Sequence, residues 1–318
     1  MLKIFNVWKV QHKIMVRTIV FLISCLIILP FIAFRYDTPL NAEQHTALMT
    51  SVYAMIGVAL TCFIVSELTR NCSQVDKLWS IVPTFYVWFF AYSAQFNTRL
   101  VVMAVLVTLW SIRLTYNFAR RGGYNIVPWR GEEDYRWSVL RQRPFLNTRG
   151  GWAIFNLSFI SLYQNALILL FTLPALVAWQ GLEKPFGIFD TLITLFFLAF
   201  LLIETIADQQ QYNFQTEKYR RKNNNEPLGD YAQGFCSTGL WAKVRHPNYA
   251  AEQAIWLTYY FFSVAATGRW INWSLAGGIL LVLLFIGSSD FSEQISSEKY
   301  PEYKNYQKRV PRFLPIKK

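Results

Sequence analysis

The chain has 318 residues, of which 53% are hydrophobic, 17% aromatic and only 16% charged. Soluble domains carry about 25% charged residues, so this composition argues against a soluble globular protein. Apolar runs of about 20 residues, the length that a helix needs to cross a bilayer, are separated by basic loops. The alternation of apolar and polar residues that a membrane β-barrel requires is not seen. We therefore expect an all-α, polytopic transmembrane helix bundle that forms a single domain over residues 1–318.

Eight apolar segments are candidate spans, and we expect each to form one membrane-crossing helix. In chain order they cover roughly residues 14–34, 46–66, 78–96, 99–118, 152–179, 186–211, 249–267 and 271–291.

The formal net charge of +12 is distributed unevenly. If the N-terminus is cytoplasmic and the chain crosses eight times, 26 Lys and Arg residues lie on the cytoplasmic side and four on the other. Such an excess follows the positive-inside rule, so we attribute the charge to topology and expect no nucleic-acid or protein partner. An anionic cofactor is compatible with it. We expect an integral membrane protein with both termini cytoplasmic, in the inner or plasma membrane of a bacterium or the endoplasmic reticulum of a eukaryote.

Polar residues inside the spans are candidates for function, because they are costly in a bilayer. Arg113 lies about two turns from the cytoplasmic end of span four, where an arginine costs roughly 2.5–3.5 kcal/mol. It either snorkels to the interface, binds a ligand, or pairs with Asp76, Glu204 or Asp208. In span six, Glu204, Asp208 and Gln211 recur at spacings of four and three, so they share one helix face. They face water at the interface or line a polar pocket that opens to the cytoplasm.

The segment GLWAKVRHPNYAAEQ, residues 239–253, is the most distinctive. Arg245 and His246 precede Pro247, which suits the first turn of a helix, and a helix start flanked by cations can bind an anion. No Walker loop occurs and no GxGxxG follows a strand, so basic loops and helix ends would have to hold any nucleotide. Only three histidines are present, and we expect no metal site.

The chain resembles the steroid 5-alpha-reductase C-terminal-domain superfamily, specifically its bacterial-type branch, which is related to the sterol C14-reductases. The resemblance covers roughly residues 70–315. The similar segments are VDKLWS (75–80), LWSIRLTYNFARR (109–121), EEDYRW (132–137), ETIADQQQYNFQ (204–215), GLWAKVRHPNYAAEQ (239–253) and SSEKYPEYKNYQKRVPRFLP (296–315).

The resemblance implies a reductase that uses NADPH from the cytoplasm to reduce a carbon–carbon double bond of a lipid or steroid-like substrate. By position, Asp76 and Tyr116 are the candidates for the carboxylate and the aromatic hydroxyl that polarise the substrate. The expected cofactor-binding residues are Arg113, Glu204, Asp208, Arg245, His246, Asn248, Tyr249 and Glu252.

Two alternatives stay open. Membrane methyltransferases of the isoprenylcysteine and phospholipid kind share the RHPxY motif and use S-adenosylmethionine. They differ in having a short glycine-rich stretch after the motif, where this chain has Ala250 and Ala251. A non-catalytic lipid-binding protein is the other alternative. It is favoured by Ser289 and Glu293, which stand where steroid-reducing members carry a His and a Tyr.

The charge distribution predicts the topology directly. Reporter fusions at residues 130 and 318 should give cytoplasmic signals, and fusions at residues 40 and 183 should give signals from the opposite side. A non-cytoplasmic signal at 130 or 318 would refute the eight-span arrangement.

Overall fold

The computed structural model describes residues 28, 31, 33–125 and 131–316, and these residues form helices and no strands. The principal helices are α1 Ala42–Thr69, α2 Gln74–Trp79, α3 Val82–Ser93, α4 Thr98–Ala119, α5 Tyr135–Arg141, α6 Arg149–Gly181, α7 Ile188–Asn223, α8 Pro247–Thr267, α9 Leu275–Lys299 and α10 Tyr303–Arg309. Short 3-10 turns occur at Gly229–Tyr231 and Gly239–Ala242.

Within the described residues, five helices are long and apolar enough to cross a membrane, namely α1, α4, α6, α7 and α9. They coincide with five of the expected spans, so the prediction of an all-helical membrane bundle is confirmed. The expected span over residues 14–34 lies almost entirely outside the described residues.

Two other expected spans form helices that are either too short or less apolar than these five. The segment 78–96 contains α3, which has only 12 residues and is about 18 Å long, against a bilayer core of about 30 Å. Its helix starts afresh near Pro83, because proline suits a first turn but interrupts a continuing helix. The segment 249–267 forms α8, whose 21 residues are long enough but less apolar than the five. The number of crossings therefore stays a prediction.

Helix α7 is longer than the sequence suggested. It has 36 residues and continues for 12 residues beyond residue 211, where we expected the span to end. The continuation contains no Gly or Pro, and Glu217 forms ion pairs with Arg220 at 2.8 Å and Arg221 at 2.7 Å along the helix surface. As a result, the helix runs about 22 Å beyond Asp208, which lies well inside the helix rather than at its end.

Helix α8 lies at the centre of the bundle. Its residues Trp256, Tyr259 and Phe262 are fully buried. The Trp256 ring packs against Phe171 of α6 at 4.1 Å and edge-to-face against Trp110 of α4 at 5.0 Å between centroids. This packing fixes the positions of α4, α6 and α8 relative to one another.

The four cations expected on the non-cytoplasmic side are Arg35, Arg99, Lys184 and Arg269. The last three lie together at one end of the bundle. Arg99 is buried, donates to Asp190 at 2.6 Å and also donates to the carbonyl oxygen of Lys184 at 3.1 Å. Arg269 pairs with Asp37, and Lys184 Nζ lies beside Gly268. This grouping agrees with the expected loop arrangement.

Close packing between α9 and α6 predicts a stability effect at Gly277. A Cβ atom there would lie 2.3 Å from the carbonyl oxygen of Leu170, whereas a Cβ at Gly57 of α1 would meet nothing within 4 Å. We expect Gly277→Ala to lower the free energy of unfolding by about 1–3 kcal/mol, because the backbones must separate. Gly57→Ala should not lower it, and denaturation of the purified variants in detergent would measure both. Equal stability of the two variants would contradict the packing described here.

Candidate functional site

A large cavity lies among α4, α6, α7, α8 and α9, and α5 and α10 contribute to its wall. Its volume is about 1130 Å³. Small-molecule pockets usually measure about 300–1,000 Å³, so this cavity lies just above that range and has room for a cofactor-sized ligand.

Arg113 is the centre of a buried ionic cluster on one wall of the cavity. Its guanidinium lies 2.6 Å from Glu204 and 2.8 Å from Asp208 of α7, and 3.6 Å from Glu252 of α8. The expected pairing of Arg113 with a carboxylate is therefore confirmed for Glu204 and Asp208. Asp76, the third expected partner, forms no ion pair with Arg113.

Neutral donors complete the cluster. Asp208 accepts hydrogen bonds from Asn117 at 2.8 Å and from Asn248 at 3.1 Å. Glu252 accepts from the indole nitrogens of Trp110 at 2.8 Å and Trp256 at 3.0 Å. These bonds hold α4, α7 and α8 in register around the charged groups.

Three carboxylates thus share one buried guanidinium, and Glu204 Oε2, like Arg113 Nε and Nη2, has no hydrogen-bond partner among the described residues. Gln211, one turn beyond Asp208, lines the same cavity, and its Oε1 is buried with no hydrogen-bond partner among the described residues. Because unpaired buried acceptors are costly, this wall suits a ligand that brings hydroxyl or amide donors.

The RHPNY segment begins α8 as its sequence predicted, with Pro247 in the first turn after His246. Arg245 and His246, which precede Pro247, both contact Glu293 of α9. Arg245 Nε donates at 2.7 Å and Nη2 at 3.1 Å, and His246 Nε2 lies at 2.9 Å.

Arg245 also anchors the segment after α10. It donates to the carbonyl oxygens of Gln307, at 3.1 Å, and Val310, and its backbone N–H donates to Pro311 at 2.9 Å. The guanidinium lines the cavity but is largely saturated by the protein, so the geometry does not favour it as a phosphate ligand. Glu293 is the counter-ion of Arg245 in this arrangement.

Among the other expected residues, Tyr249 lines the cavity and stacks on His246 with 5.3 Å between ring centroids. Tyr116 does not line the cavity, since its side chain is 65% exposed on the outer face of α4 near Arg120. The structure therefore gives the expected aromatic hydroxyl no contact with this site. Asn117, one turn after Arg113, points to the cluster instead.

Asp76 does line the cavity. Its Oδ2 atom is buried and accepts no hydrogen bond from the described residues, and the nearby wall includes the equally unpartnered indole N–H of Trp137. Burial, reinforced by the negative charge of Asp134, raises the pKa of Asp76 above its usual value. A carboxyl in this environment favours its neutral, proton-carrying form.

Two arginines were missed in the sequence analysis, one in the loop after α4 and one in the turn after α5. Arg121 and Arg143 both line the mouth of the cavity. Arg121 approaches Asp208 only to 3.9 Å, and Arg143 lies 5.2 Å from the ring centre of Phe291. Neither guanidinium donates a hydrogen bond to the described protein groups, so both are available to an anion. By contrast, Arg136 is held by Asp134 at 2.8 Å.

The fold and the cavity define a polytopic helical membrane protein with an internal polar site. Residues 62–310 match a family described as a protein of unknown function, DUF1295, and the chain belongs to this family. An uncharacterised protein of Schizosaccharomyces pombe is 40% identical over 263 residues, which are 79% of this chain and 74% of that protein. No solved structure matches the chain.

The environment of Asp76 predicts a pH-dependent stability. Because its pKa is raised in the folded state, the unfolded state loses its proton first as the pH rises, and the free energy of unfolding decreases through that range. Asp76→Asn cannot ionise, so it should lose less stability than the wild type as the pH rises above about 4, the pKa of an unfolded aspartate. Asp230→Asn, at an exposed position, is the control and should follow the wild type. Parallel curves for Asp76→Asn and the wild type would disprove the assignment.

Proposed function

We propose that this protein is a membrane-embedded, NADPH-dependent oxidoreductase that reduces a carbon–carbon double bond of a lipid-like substrate. The observation that carries the proposal is one cavity with free guanidinium groups at its mouth and buried acceptors without hydrogen-bond partners on its inner wall. The resemblance to the steroid 5-alpha-reductase C-terminal-domain superfamily adds the reaction class. On this proposal both termini are cytoplasmic, and the cavity opens to the cytoplasm.

The mouth of the cavity fits the phosphates of NADPH. Guanidinium groups bind phosphate oxygens bidentately, and Arg121 and Arg143 have no competing hydrogen bonds to described groups. The cofactor-binding role that the sequence suggested for Arg245 passes to these two residues. Arg245 and His246 instead position the start of α8 and the tail through Glu293.

The inner wall fits the rest of the cofactor. Ribose hydroxyls and a carboxamide donate hydrogen bonds, and Glu204 Oε2 and Gln211 Oε1 are buried acceptors without a hydrogen-bond partner among the described residues. Asn248 and Tyr249 add an amide and a hydroxyl on the same side. The acidic cluster cannot bind phosphate, because like charges repel, so the phosphates would bind Arg121 on the side turned away from Asp208, which lies 3.9 Å from its guanidinium.

Asp76 is the proposed acid. NADPH, when bound, supplies a hydride, and the double bond must gain a proton at its other carbon or at a conjugated oxygen. A neutral carboxyl whose Oδ2 is unpartnered on the cavity wall can hold that proton and donate it to the substrate. Tyr116 has no part in this proposal, because it lies outside the cavity.

The non-catalytic alternative rests on Ser289 and Glu293. Glu293 has a structural use, as it pairs with Arg245 and hydrogen-bonds His246, so its presence by itself does not argue for a lost activity. The methyltransferase alternative does not require guanidinium groups at the mouth of the cavity, because S-adenosylmethionine carries no phosphate. It is therefore separated from the reductase by direct binding.

Binding of NADPH, NADH and S-adenosylmethionine to the purified protein in detergent tests the proposal. We expect NADPH to bind, and Arg121→Gln and Arg143→Gln each to weaken it by about 10- to 100-fold through loss of a charge-assisted hydrogen bond. The arginine that reads the 2′-phosphate should affect NADPH but not NADH. Arg220→Gln is the matched control, since Arg220 lies outside the cavity and pairs with Glu217 and Glu226. Binding of S-adenosylmethionine without NADPH would replace the reductase with the methyltransferase.

A further inference from the structure

The cavity has an apolar side that the cofactor proposal leaves unused. In α6 the residues Asn156–Tyr163 form a π-helical segment, a local widening that is rare and frequent at functional sites. Phe155, Phe159 and Tyr163 line the cavity from this region. The side chains of Leu283, Leu284, Phe285 and Phe291 of α9 line it as well.

The three rings of α6 form one continuous stack. Phe155 and Phe159 lie 5.1 Å apart at an interplanar angle of 18°, and Phe159 and Tyr163 lie 5.2 Å apart at 7°. Rings stacked in this way present their edges at the side of the stack. A ring edge carries the positive end of the aromatic quadrupole and favours the negative face of another π-system.

Gly287 of α9 also lines this side. Its Cβ would meet no atom within 4 Å, and no positive φ requires glycine there. Gly287 is an exposed position, so a larger side chain there would extend into open space at this wall of the cavity without a clash at its Cβ. Gly277 of the same helix shows the contrast, because packing against Leu170 explains it fully.

A polar group lies directly after the stack. Gln164 is only 7% exposed and lines the cavity, and its side-chain amide makes no hydrogen bond to a described group. A buried amide without a protein partner suits a ligand oxygen.

We propose that the space between the α6 ring stack and Gly287 is the substrate slot, that it takes the unsaturated hydrocarbon part of a lipid, and that Gly287 sets its width. The inference rests on the proposed function for the identity of the second ligand. The double bonds of the lipid lie against the ring edges of Phe155 and Phe159. The amide of Gln164 binds an oxygen of the same molecule. A saturated chain of equal length fills the slot without the edge-to-face contacts and binds more weakly.

Binding of cis-parinaric acid, a fluorescent fatty acid with four conjugated double bonds, to the purified protein in detergent tests the slot. We expect Gly287→Phe to weaken binding about tenfold or more by filling the space, and Phe159→Leu to weaken it about two- to tenfold by removing one ring edge. Stearic acid should compete less well than an unsaturated acid of the same length.

Matched controls isolate the slot from general partition into apolar surfaces. Gly57→Phe places the same ring at an open helical glycine outside the cavity, and Phe196→Leu breaks a stacked pair with Phe200 that also lies outside it. Both should bind the probe as the wild type does. Equal binding by Gly287→Phe and Gly57→Phe, or equal competition by saturated and unsaturated acids, would overturn the slot. NADPH binding measured on the same samples keeps the two proposals apart, because its absence in the wild type overturns only the cofactor assignment.

Discussion

The ion pairs of Arg113 are the interaction on which the rest of the structure depends. One guanidinium lies within 4 Å of carboxylates from two helices, at 2.6 Å from Glu204, 2.8 Å from Asp208 and 3.6 Å from Glu252. Removing one partner of a buried pair typically costs about 3–5 kcal/mol, because the other charge is left unpaired. The cluster therefore fixes α4, α7 and α8 around a polar wall that could not exist in an apolar bundle.

A second ionic group gives the cavity its other boundary. Glu293 holds Arg245 and His246, and Arg245 in turn binds the backbone after α10, so the start of α8 and the tail are joined at one place. Arg121 and Arg143 at the mouth donate no hydrogen bond to the described residues, although Arg121 lies 3.9 Å from Asp208. The cavity is thus lined by the acidic cluster, by these exposed arginines and by aromatic residues of α6 and α9.

Several of these features could be predicted from the sequence because they are local or energetically forced. The four-residue spacing of Glu204 and Asp208 puts them on one face, and the cost of an intramembrane arginine demands a partner for Arg113. The partner of Arg245 could not be predicted, since Glu293 is 48 positions away and only packing brings it close. Likewise, seven arginines lie between residues 120 and 149, and their sequence positions do not distinguish them. Only the fold shows that Arg121 and Arg143 line the mouth of the cavity.

The central claim is that the cavity binds NADPH with its phosphates at the basic mouth and its nicotinamide end at the Arg113 cluster. An experimental structure of the protein with NADPH tests this most directly. We predict phosphate oxygens about 2.7–2.9 Å from the guanidinium nitrogens of Arg121 or Arg143, and hydrogen bonds from the cofactor to Glu204, Asp208 or Glu252. Density for NADPH outside this cavity, or with its phosphates against the acidic cluster, would contradict the account.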